Sequence, residues 1–174
     1  MSNHGPKSKS MVVDSDVLID FIGADRNVLS LIVRHVGPLH VISPVVDQVK
    51  DIDEEELIEL GMVIIEPELA DAFAAAVAGS PIGFEDFLCC LPAKRHGLIC
   101  VRNDKNLQKR CKEDGVPVRR GLRLLIDLAA KGGVSSKTAI EIAELVHQNN
   151  PKYITPEIIR RFKKALGQAI GGSR

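Results

Sequence analysis

Five short apolar runs punctuate the chain: Met11–Val13 (MVV), Leu39–Ser43 (LHVIS), Met62–Glu66 (MVIIE), Leu98–Val101 (LICV) and Val116–Val118 (VPV). They are β-branched and continuous rather than alternating, as strands buried on both faces of a parallel sheet should be. Between them run helix-like stretches, roughly 15–36 with a break near Gly23, 44–60, 67–78, 84–96 and 104–114. Strand–helix alternation of this kind predicts an α/β fold, a three-layer α/β/α sandwich on a central parallel sheet of about five strands. Gly61, Gly97 and Gly115 each stand just before a strand, where a helix C-terminus calls for a left-handed residue.

After the fifth run the alternation stops. Residues 121–131 carry one apolar-periodic helix, and Ser135–Gln148 a second with Ala139, Ile142, Ala143 and Val146 on one face. Thr155 and Pro156 read as N-cap and first residue of a third, with Ile158, Phe162, Ala165, Leu166 and Ala169 in register. The expected organisation is a flexible tail over 1–10, an α/β domain over 11–131, a helical extension over 132–170 and a short tail over 171–174.

Composition narrows the function. The 174 residues fit one domain, and aromatic residues make up 3%, with no Trp. The core must therefore be aliphatic, and readers of nucleic acid that stack bases on aromatic platforms are excluded. Net charge is zero, but it is segregated. Residues 47–86 hold twelve acids and one base, whereas residues 94–123 hold ten bases and three acids. A local basic face suits a polyanionic partner despite the neutral total, although both runs also suit solvated helix faces. No apolar run approaches the ~18 residues of a membrane span, and no signal peptide is evident, so a cytoplasmic protein is expected. Cys89, Cys90, Cys100 and Cys111 form no CxxC pair and read as small core residues of a reducing compartment.

Candidate chemistry lies at the carboxyl ends of the strands, where open parallel sheets build their sites. The first run leads into Asp14-Ser15-Asp16, and the second into Ser43-Pro44 with Asp47 and Gln48 one turn on. The helix before the fourth opens with Glu85-Asp86, and the fourth leads into Asn103-Asp104. Each acid alone suits a helix cap or a favourable place in a helix dipole. Together, converging carboxylates repel unless a cation sits among them, and a hard divalent ion is the natural occupant.

These residues resemble the PIN-domain family of metal-dependent nucleases, and within it the VapC-type toxins of bacteria and archaea. The resemblance covers about residues 11–128. MVVDSDVLIDFI (Met11–Ile22) is similar to the family's opening strand, first metal-binding Asp and hydrophobic helix. GFEDFLCCLPAKRHGLICVRNDKNLQKRCKEDGVPV (Gly83–Val118) is similar to its distal half, with Asp86 at the acid that opens a helix and Asp104 in the "ND" turn. Where the family usually has a Glu after the second strand, the chain offers Asp47 or Gln48. Where many members have Ser or Thr before the "ND" turn, it has Arg102.

The resemblance implies a nuclease domain over 11–131 that hydrolyses RNA phosphodiester bonds. Asp14, Asp86 and Asp104 would hold Mg2+ or Mn2+, with Asp16 or Asp47 completing the shell and Asn103 beside them. Arg102 and Lys105 would hold the RNA backbone. It also implies the toxin of a toxin–antitoxin pair. Such toxins commonly pair, and the wide apolar face of Ile158, Ile159, Phe162 and Leu166 needs a cover, so a homodimer through the C-terminal helices is expected, with an antitoxin segment as a further partner. The alternative is a catalytically weak PIN-like module that binds RNA or protein. A haloacid-dehalogenase-like phosphatase, with Asp14 as nucleophile and Asp16 as acid/base, fits less well, because Leu18 stands where a Thr is wanted. A receiver-like domain lacks its late strand-end Lys, and the scattered histidines carry no metal-site spacing.

Overall fold

The computed structural model describes residues 9–77 and 84–172, apart from the side chains of residues 84–86. Five strands form one all-parallel sheet: β1 (Met11–Val13), β2 (Leu39–Ile42), β3 (Val63–Ile65), β4 (Ile99–Val101) and β5 (Val118–Arg119). Their order is β3-β2-β1-β4-β5, which puts β1 at the centre and the reversal of strand order between β1 and β4. Every residue of β1 and β4 is buried, which is why these runs are continuously apolar. The second, third and fourth runs are trimmed by one or two residues, and the last shifts most, from Val116–Val118 to Val118–Arg119. Pro117 has no amide hydrogen to donate to a ladder, and pairing begins at Val118, opposite Cys100.

The helices follow the expected alternation with local differences. The first stretch divides into α1 (Ser15–Asp25) and α2 (Asn27–His35), so the break falls at Arg26 rather than at Gly23. The second divides into a single turn, α3 (Ser43–Val46), and α4 (Glu54–Glu59). Asp53 and Glu56 close a reciprocal capping box that starts α4 afresh. α5 (Leu69–Val77), α6 (Phe84–His96) and α7 (Lys105–Glu113) complete the α/β part. Gly61, Gly97 and Gly115 have φ of 89°, 65° and 75°, the left-handed conformation their positions called for.

Helices flank both faces of the sheet. α6 packs on β1 and β4 and carries α5, which is tied to it by the ion pair of buried Asp71 with Arg95. α2 packs on β2 and on α8 (Gly121–Ala130). The extension, α9 (Ser136–Asn149) and α10 (Pro156–Gly171), is capped by Ser135 and Thr155, and it packs back on the body. α9 lies against α1, and α10 against α8. The apolar face of α10 is therefore covered by the chain itself, with Ile159, Phe162 and Leu166 all in the main core. The expectation that this face needs a second copy is corrected on that ground. Exposed apolar side chains concentrate instead on α5, where Leu69, Phe73 and Val77 are 87%, 72% and 69% exposed.

A second correction concerns sulfur. Cys90 on α6 and Cys111 on α7 are joined by a disulfide across 21 residues, with Cα atoms 6.1 Å apart. Cys89 and Cys100 remain buried thiols. Spacing in the sequence gave no hint of this pairing, because the two cysteines lie on different helices separated by β4. Closing a loop of that length removes about 3 kcal/mol of unfolded-chain entropy in the loop-closure model.

The packing of α10 makes a direct prediction. Phe162→Ala should cost ~3–5 kcal/mol in denaturant unfolding, as for other buried aromatics. Truncation after Gly132 should give a chain without a cooperative thermal transition, rather than a folded protein of altered oligomeric state by light scattering.

Candidate active site

The reversal of strand order between β1 and β4 marks the carboxyl-end crevice of an open parallel sheet, here filled by side chains, and the loops on either side of it bring the candidate residues. Asp14 follows β1 directly, where it is the N-cap of α1 and 3% exposed. Its Oδ1 accepts the Ser15 amide hydrogen at 2.8 Å, and its Oδ2 accepts from Arg102 Nη2 at 2.7 Å. Arg102 follows β4 directly and is fully buried. Its backbone amide donates to the Arg119 carbonyl at 2.9 Å, and its own carbonyl accepts from Gln108 Nε2 at 2.7 Å. The side chain expected to hold RNA thus points inward, where it meets a carboxylate and sulfur rather than solvent.

Asp16 and Asp20 stand one turn apart on α1, facing the loop after β4. Asp16 accepts from the Val17 amide at 2.7 Å and from the Asn103 amide at 3.1 Å. Asp20, 6% exposed, accepts from Asn103 Nδ2 at 3.2 Å and from Asn150 Nδ2 at 3.0 Å. Asn103 Oδ1 in turn accepts the Gly121 amide hydrogen at 3.1 Å. One asparagine therefore ties α1, the β4 loop and the start of α8 together. At Gly121 any Cβ would meet Val17 Cγ1 at 3.0 Å, so the approach of α8 to α1 requires glycine there or a shift of Val17.

Burial dominates the electrostatics of this cluster. It pushes the Asp16 carboxyl up from 3.8 to about 6, with the charge of Asp14 adding to the rise. Asp20 is pushed up to about 6, also by burial, against the favourable hydrogen bond from Asn150. Both carboxyls are therefore raised although Arg102 is paired with Asp14 beside them.

The other candidates are placed differently. Asp104 is exposed, and its Oδ1 caps α7 by accepting from the amides of Asn106 and Leu107 at 2.8 and 3.0 Å. Asp47 is exposed at the end of α3, on the β2 side. Lys105 is exposed on the opening turn of α7. Asp86 lies on the first turn of α6, and its side chain is outside the described residues. Among the described residues, the one group of three potential metal-ligand atoms within 4.8 Å of one another is Cys90, Cys100 and Cys111.

Asp20, Asn150 and Gln108 belong to the site or its support and were missed in the sequence. Asp20 had a signal: it interrupts the buried stripe of Val17, Leu18 and Phe21, where an acid needs a reason. Asn150 had none, since it comes from the far end of α9, 130 residues away. No protein-family model and no curated protein matches the chain.

Two predictions follow from the charges. Asp14→Asn removes the carboxylate from a fully buried guanidinium and should cost ~3 kcal/mol or more in unfolding free energy. It is therefore a poor probe of chemistry alone. Folding raises the pKa of Asp16 and Asp20, so the folded protein keeps protons that the unfolded chain releases between about pH 4 and 6. Stability should fall as pH rises through that window, with the full cost present at neutral pH. Asp16→Asn should flatten that slope and gain ~1–2 kcal/mol at pH 7, read from urea midpoints across pH.

Proposed function

We propose that the chain is a PIN-like endoribonuclease that hydrolyses RNA phosphodiester bonds with Mg2+ or Mn2+, as the toxin of a toxin–antitoxin pair. The observation that carries this reading is the meeting of Asp16 with the Asn103 amide beside buried Asp14, where strand order reverses between β1 and β4. The donor set is hard oxygen, and Asp16 is raised by burial and by Asp14, so a divalent cation would relieve the cluster. Asp14 and Asp16, with Asp86 and Asp104 from the adjoining helices, would hold the ion. When bound, the ion supplies an acidified water and neutralises charge on the phosphorane-like transition state.

The chain's own residues do the positioning. The Ser15 amide and Arg102 fix the Asp14 carboxylate, and the Asn103 amide fixes Asp16. Lys105, Lys109 and Lys112 are exposed on α7 and offer charge to the RNA backbone beside the crevice, the role that Arg102 does not fill. A protein partner, antitoxin or second copy, would meet the exposed face of α5 rather than α10.

One observation favours a second reading. Arg102 already brings a positive charge to 2.7 Å from Asp14, which suits a PIN-like module that binds RNA with weak or no cleavage.

Single-stranded RNA incubated with the full chain separates the two. Cleavage should require Mn2+ or Mg2+, and Asp86→Asn and Asp104→Asn should fall to the level of an EDTA control while remaining folded. Metal at about a hundred times its Kd should add ~2.7 kcal/mol of stability. Equal cleavage in EDTA would rule out the metal mechanism, and tight RNA binding without cleavage would establish the second reading.

A further inference from the structure

Four sulfur atoms meet against the buried end of Arg102. Cys90 on α6 and Cys111 on α7 are bonded, and Cys100 Sγ on β4 lies within 4.8 Å of both. Cys89 Sγ is 3.8 Å from Cys100 Sγ. Arg102 Nη1 sits 3.4 Å from Cys90 Sγ and 3.5 Å from Cys111 Sγ, while Nη2 of the same guanidinium holds Asp14. A crosslink that only stiffens the fold needs neither a cation at its sulfurs nor a spare thiol within reach. Both are features of cysteines that exchange, because a neighbouring positive charge stabilises the thiolate that attacks and leaves.

We propose that Cys90 and Cys111 are a reversible thiol–disulfide site whose redox state is passed through Arg102 to Asp14. The link to Asp14 deepens the ribonuclease reading and rests on it; the redox site itself does not. Reduction is an exchange with a low-molecular-weight thiol. Its thiolate attacks Cys111 Sγ, forms a mixed disulfide and expels Cys90 as a thiolate beside Arg102. A second small thiolate attacks the small-molecule sulfur of that mixed disulfide and expels Cys111. Two small thiols lose two electrons and become one disulfide, and their protons end in solution or on the two cysteines. Access comes through α7, a polar helix that buries only Leu107, Gln108 and Cys111, so it opens more readily than the core beneath it.

The state is transmitted by charge. Disulfide sulfurs are neutral and weak acceptors, and they draw little of the guanidinium's charge away from its ion pair with Asp14. A cysteine thiolate at 3.4–3.5 Å takes a share of it, which frees the Asp14 carboxylate for a cation. The reduced protein is the form that takes metal.

The test places the full chain in glutathione buffers of graded poise and reads each cysteine by differential alkylation and mass spectrometry. Circular dichroism follows the fold, and calorimetric titration follows Mn2+ alone. Cys90 and Cys111 should change together and reversibly with the fold retained, and reduction should lower Tm by roughly 6–12 °C. Mn2+ should bind about tenfold tighter to the reduced form. Cys90→Ser, which cannot form the bond, should bind Mn2+ like the reduced protein in every buffer. Cysteines free at every poise, or reduction only on unfolding, would overturn the redox site. A clean redox cycle with unchanged Mn2+ affinity would overturn the link to Asp14. Absence of RNA cleavage in both states, with the cycle and the Mn2+ difference intact, would sink the ribonuclease reading and leave the redox site standing.

Discussion

The buried pair of Asp14 with Arg102 is the interaction on which the arrangement of the crevice depends. Each residue directly follows one of the two fully buried central strands and is itself buried, so neither charge can reach water without moving the sheet. Burying an ion pair gains little net stability, but losing one partner leaves the other stranded at a cost of several kcal/mol. The pair therefore acts less as glue than as a constraint. It fixes the direction of the Asp14 carboxylate and holds the ends of β1 and β4 in one register, and α6 and α7 then close around its far side.

From that constraint the rest of the site follows. With β1 and β4 fixed, the Asn103 backbone amide meets Asp16, and its side chain spans Asp20 and the Gly121 amide. The C-terminal extension completes this network rather than merely covering it. Asn150, at the end of α9, supplies the second hydrogen bond to Asp20, and Asn149 Nδ2 donates to the Gly23 carbonyl at 3.0 Å. An extension that reads in sequence as an appendage is thus tied to α1 by two neighbouring amide side chains, one of them inside the site.

What was legible in the sequence, and what was not, divides along the range of the interactions. The parallel α/β sandwich was legible because buried central strands must be continuously apolar, and because Gly61, Gly97 and Gly115 mark helix ends by local conformation alone. The acids at the strand ends were legible for the same local reason. The role of Arg102 was not. A cation beside a predicted acidic edge reads as a ligand for phosphate, and only the depth of β4 turns it inward. The break at Arg26 and the fresh start of α4 were hidden because hydrophobic periodicity runs through both. The cover of α10 and the Cys90–Cys111 bond were hidden because amphipathic faces and cysteines announce that they need partners without saying which.

The charges in the crevice show why that inward turn matters. Three carboxylates crowd one edge, Asp14 at the cap of α1 and Asp16 and Asp20 on it, and the buried guanidinium of Arg102 pairs with the first. If Arg102 were a substitute for a metal, it should satisfy the cluster. It does not: the ion pair it forms with Asp14 leaves Asp16 and Asp20 stabilised by amides, and both rise to about 6. Neutral hydrogen-bond donors orient a buried carboxylate without cancelling its charge. The arrangement therefore keeps a negative potential at a preorganised edge, and it ties Arg102, the cation paired with Asp14, to a cluster of sulfur atoms. A protein built only to bury its charges would have no use for either feature.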